Sequence, residues 1–162
     1  MAFEAGEADL MKRRPRHPRE PLLTGFMVWR ILFVSVLMVT GVFGLFLWER
    51  LHGAELEVAR TVAVNALVIA EVFYLFNARF LTSSSLSRAG LLGNHYALLA
   101  IVAVVVFQML FTYLPVMQTF FGTAAIDWQA WMRILVFGGL LFSVVELEKA
   151  VIRWRHWGAV AL

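Results

Sequence analysis

A lone acidic residue, Glu71, stands mid-way along an apolar run from Val58 to Phe80, whose other charges, Arg60 and Arg79, lie near its two ends. At the rise of an α-helix it sits about 16 Å from Arg60 and about 12 Å from Arg79. At that depth in hydrocarbon an ionisable side chain costs on the order of 3 kcal/mol or more, and chains keep one where an ion path, a polar partner or a water-filled cavity receives it. Carboxylate and amide oxygens suit hard cations such as calcium, which takes about 6–8 oxygen ligands. The chain does not offer that many at one depth. Asn65, six residues from Glu71, points to a different face at helical spacing. Glu71 is therefore the candidate cation ligand, in a site shared with helices outside this chain. Three other arrangements also satisfy it: a bond to Asn or Gln on a neighbouring helix, a wide aqueous gap, or a buried acid that stays protonated.

The remaining constellations exclude more than they propose. His17, His52, His95 and His156 fall in loops or termini on both sides and do not converge on one metal. Ser83, Ser84 and Ser85 read as a solvated loop, with no His and Asp arranged nearby. No Gly-rich phosphate loop of the Walker type occurs, so there is no ATP site. There is no cysteine, which removes disulfides and thiolate metal sites. No catalytic residue and no bound cofactor is expected in this chain.

The elements that must position Glu71 follow from composition. Of the 162 residues, 61% are hydrophobic and 15% charged, against about 25% charged in ordinary soluble domains. Four apolar runs carry the excess, at about 26–48, 58–80, 96–115 and 126–149, each close to the ~20 residues that span a bilayer core. The expected fold is all-α, an integral membrane four-helix bundle over residues 24–157. Residues 1–23 form a proline-rich basic lead, stiffened by Pro15, Pro18 and Pro21, and residues 158–162 a C-terminal tail. No secretory signal is visible.

The net charge of +3 reflects topology and not nucleic-acid binding. Lys12, Arg13, Arg14, Arg16 and Arg19 precede the first run, Arg79 and Arg88 lie between the second and third, and Lys149, Arg153 and Arg155 follow the fourth. With four spans these fall on one side, the cytoplasm, together with both termini. Thr40, Gly41 and Gly44 make a smooth packing face on the first span, which Trp29 and Trp48 anchor at the interfaces. Pro115 closes the third, and 116–127 is expected as the longest outer loop. Glu146 and Glu148 read as interfacial charges, within reach of Lys149 and Arg153 at helical spacing.

The order of short motifs resembles a known family. Arg14-Pro15-Arg16-His17-Pro18-Arg19-Glu20-Pro21-Leu22-Leu23-Thr24-Gly25 is similar to the cytoplasmic loop before the seventh transmembrane helix of P-type cation-transporting ATPases, and Ala2-Phe3-Glu4 with Asp9-Leu10-Met11 to the start of that loop. Ala59-Arg60-Thr61 through Leu75-Phe76-Asn77 resembles their eighth helix. Leu110-Phe111-Thr112-Tyr113-Leu114-Pro115 resembles the end of the ninth, and Val145-Glu146-Leu147-Glu148-Lys149 the end of the tenth. The resemblance is nearest the calcium-pump branch. It implies that Glu71, in Ile69-Ala70-Glu71-Val72, takes the place of the glutamate that the eighth helix contributes to a calcium site. The family's Asp-Lys-Thr-Gly-Thr phosphorylation motif is absent, so this chain is not expected to hydrolyse ATP by itself. The expected function is a C-terminal membrane segment of a cation pump, with calcium a possible cargo and Glu71 as one ligand. The alternative is a stand-alone accessory subunit that binds another membrane protein. The expected surroundings are the lipid bilayer, of a bacterial inner membrane, and the remaining helices or domains of a pump.

Overall fold

Small residues recur through the second apolar run at helical spacing, and they become the centre of the fold. The structure, a computed structural model, describes residues 25–78 and 95–160. Within them lie five helices and no strand: α1 (Gly25–Leu51), α2 (Leu56–Ala78), α3 (His95–Tyr113), α4 (Pro115–Phe121) and α5 (Trp128–Val160). The expected lead over 1–23 and the 81–94 connection lie outside the described residues.

On α2, Ala59, Val62, Ala66 and Ala70 form one fully buried stripe. Their short side chains let α5 and α1 approach closely, which is how helices gain contact energy in lipid. One packed cluster joins Val62 and Ala66 to Ile126, Ala130 and Ile134. A second joins Ala70 to Val34, Leu141 and Val145. Phe137 borders both clusters. It reaches α1 because Gly41 leaves space for its ring: a β-carbon at Gly41 would overlap it. The expected packing face thus holds at Gly41, whereas Gly44 meets nothing within 4 Å and opens onto a groove between α1 and α5.

Short connections make the helices antiparallel neighbours. Between α1 and α2 the chain turns at Gly53 (φ 84°), a left-handed conformation that glycine adopts without steric cost. The Ala54 amide returns to the Glu49 carbonyl at 3.0 Å. At the start of α5, Asp127 acts as an N-cap, its Oδ1 accepting the Ala130 amide at 2.8 Å.

Long helices fall on each of the four apolar runs. The α1 segment from Met27 and the whole of α2 are each long and apolar enough to cross a membrane. Helix α3 is 19 residues long and apolar, and α4 follows it at a bend of 77°. Pro115 is the reason. It has no amide to continue the α3 ladder, yet its fixed φ suits the first position of a new helix. The 116–127 segment is accordingly not all loop, since α4 occupies its first part and ends at left-handed Gly122. Helix α5 is 33 residues long, with Arg133 in its second turn and Glu146, Glu148 and Lys149 after an uncharged apolar stretch. It continues to Val160, into the residues expected as a tail.

Candidate functional site

Two polar layers bracket the apolar middle of the helices, and Glu71 lies between them. At one end, Arg133 on α5 donates from Nε (3.0 Å) and Nη2 (2.6 Å) to Oε1 of the buried Glu49 on α1. Near it, Asn65 and Thr112 exchange hydrogen bonds at 3.0 and 3.3 Å, tying α3 to α2. Asn65 also donates to the Thr61 carbonyl at 2.9 Å, and the Thr61 hydroxyl accepts the Ala124 amide at 3.0 Å. The Gln118 side chain donates to the Thr112 carbonyl at 2.8 Å, satisfying an acceptor near the break at Pro115. Asn65 is therefore a structural bond-former between helices. It faces away from Glu71, as its spacing predicted.

At the other end, Lys149 is 1% exposed. Its ammonium donates to the Asn77 carbonyl at 2.7 Å, to Asn77 Oδ1 at 3.3 Å and to Glu146 Oε1 at 2.8 Å. Asn77 in turn donates from Nδ2 to the Phe142 carbonyl at 3.3 Å. The buried Arg30 of α1 stands 3.5 Å from Glu148. The Glu146–Lys149 pair forms at the expected spacing, with Lys149 enclosed between α2 and α5, and Glu148 reaches across to α1. Arg153's side chain lies outside the described residues. Along α1 the two ion pairs, at Arg30 and Glu49, are 19 residues apart, about 28 Å of helix, close to the thickness of a hydrocarbon core.

Glu71 lies six residues before Asn77, about 9 Å along α2. It is exposed, on a stripe with Arg60, Val64, Leu67, Leu75 and Ala78 that no other described helix covers. Among the described residues no hydrogen bond or ion pair holds it, and no group of three or more His, Cys, Asp or Glu comes together to hold a metal ion. An apolar groove lined by α1 residues and by Ala63 and Leu67 ends about one turn below it. Among the described residues, then, Glu71 is an uncovered carboxylate amid Leu67 and Leu75, both about 40% exposed.

The polar layers themselves were not legible as sites. Arg30 inside an otherwise apolar run, and Asn77 six residues beyond Glu71 in an apolar stretch, were the available signals. What each pairs with depends on how the helices dock.

An all-helical segment with apolar outer surfaces and polar layers at both ends of its helices is part of an integral membrane protein. Residues 1–151 match the family described as "Cation transporting ATPase, C-terminus". The chain belongs to that family. It is 43% identical over 155 residues to a probable cation-transporting ATPase F of Mycobacterium tuberculosis, covering 96% of this chain and 17% of the relative. To the cation-transporting ATPase pma1 of Synechocystis it is 38% identical, over 84% of this chain and 16% of the relative. To a plasma-membrane-type calcium-transporting ATPase 10 of Arabidopsis thaliana it is 32% identical, over 93% of this chain and 14% of the relative. The chain thus spans about a sixth of the length of the curated relatives it matches, and the match is to their C-terminal membrane region. The resemblance read from the Arg14–Gly25 lead and the four helix motifs is borne out.

Proposed function

We propose that this chain forms the last membrane helices of a pump that moves a cation, calcium foremost, across a bacterial inner membrane, with both termini cytoplasmic. In this reading Glu71 supplies one carboxylate to the cation site, and the pump's other helices supply the remaining oxygens and cover the outer stripe of α2. The observation that carries the proposal is the position of Glu71: inside a membrane-length helix, on the face that the other described helices leave bare. A carboxylate turned to lipid at that depth carries a penalty of roughly 3 kcal/mol, which a neighbouring protein surface holding a cation or proton removes. Calcium is favoured by its preference for oxygen ligands and by the name of the Arabidopsis relative.

The experiment is calcium-activated ATP hydrolysis by the pump that carries this segment, before and after Glu71→Gln. Losing a charged ligand bond worth roughly 1.5–3 kcal/mol raises the half-saturating calcium concentration by about tenfold or more. An unchanged calcium dependence overturns the ligand assignment.

A further inference from the structure

Lys149 is the most enclosed charged side chain among the described residues, and the cation-ligand reading gives it no part. Its surroundings are specific. The ammonium reaches from α5 to the Asn77 carbonyl and side-chain oxygen on α2, while its own backbone and Glu146 belong to α5. Asn77 completes the fastening by donating to the Phe142 carbonyl, nearly two turns earlier on α5. Three hydrogen bonds link Asn77 to one helix, so this part of α2 is held in both height and rotation.

We propose that Lys149 is a positioning residue for the cation site. Resting on the assignment of Glu71 as a ligand, it fixes where along and around α2 that carboxylate stands. The lever is short: six residues of a continuous helix, about 9 Å, transmit any slide or rotation of Asn77 to Glu71. Ligand distances to a metal ion are held to about 0.2 Å, so a shift too small to disturb the packing of the helices is still large for the site. Groups that orient metal ligands from outside the coordination sphere typically alter affinity by about 10–100-fold when removed.

The test uses the complete pump in native membranes, with calcium as the probe and ATP hydrolysis as the readout. Lys149→Met is expected to raise the half-saturating calcium concentration on the order of tenfold while the maximal rate per pump molecule stays close to wild type. Lys149→Arg, which keeps the charge and the donors, recovers most of the affinity. Adding Lys149→Met to Glu71→Gln produces no further shift. Should Lys149→Met fail to assemble, Asn77→Ala removes one of the ammonium's acceptors and the bond to Phe142, and is expected to shift the calcium curve in the same direction. A calcium curve that does not move in Lys149→Met or Asn77→Ala, or shifts that multiply in the double variant, overturns the positioning role alone. A Glu71→Gln pump with unaltered calcium dependence overturns the cation-site reading, and the positioning role with it.

Discussion

Phe73 lies edge-on against Gly138: a β-carbon added to that glycine would stand 2.6 Å from Phe73 Cδ2 and 3.2 Å from Ile69 Cγ2. The glycine is thus the socket that seats α2 on α5 two residues from Glu71. Its neighbour Gly139 meets nothing within 4 Å. The pair separates close approach from glycine's general effects on a helix.

Gly138→Ala should therefore destabilise the protein by about 1–3 kcal/mol, the usual cost of forcing an extra carbon into a filled contact. Gly139→Ala should be neutral or slightly stabilising, because alanine is the better helix former. Thermal unfolding of the two variants in one detergent checks this. Equal melting temperatures would show that the Phe73 contact is not the reason for the glycine.

The Glu49–Arg133 pair should behave as a coupled unit. Glu49 is 6% exposed, so Arg133→Leu leaves a carboxylate without its donors, at about 2 kcal/mol for a charged hydrogen bond lost in a buried site. Arg133→Leu combined with Glu49→Leu should recover much of that loss, since matched apolar replacements are often tolerated where single deletions are not. A double-mutant cycle on unfolding free energy checks it. Strictly additive losses would show that the two side chains do not interact.

Asn65 and Thr112 carry the hydrogen-bonded link between α2 and α3. Thr112→Val keeps the shape and removes the hydroxyl, and should cost about 0.6 kcal/mol, the average for interhelical bonds in a membrane protein, and at most about 1.7 kcal/mol. The loss should be local. Hydrogen exchange should rise along the last turns of α3 and over α4, while the α2–α5 contact keeps its protection. Uniform loss of protection across all helices would contradict the peripheral placement of α3.

How far this protein could be read in advance varies along the chain. Composition and run length made it helical and membrane-embedded, because a bilayer imposes those properties on any chain that crosses it. Pro115 marked the end of α3, since a missing amide acts locally. It did not reveal that a second helix starts at the same proline and turns by 77°, which depends on Gln118 and the 123–127 segment docking against α2 and α3. Glu146 with Lys149 was visible from its spacing within one helix. The partner of Glu148 was not, because Arg30 lies 118 residues earlier in the chain and meets it only when α1 packs on α5.

By itself, the sequence determined the class of solvent the chain lives in, the family it belongs to and the one carboxylate placed in an apolar span, since each follows from residue type and local order. The tertiary structure decided which side of α2 the other described helices leave bare, that Lys149 is enclosed, and which glycines receive rings. Those outcomes depend on the rotation of each helix about its axis. Contacts between distant residues set that rotation, and the hydropathy pattern, apolar on nearly every face of these helices, leaves it undetermined.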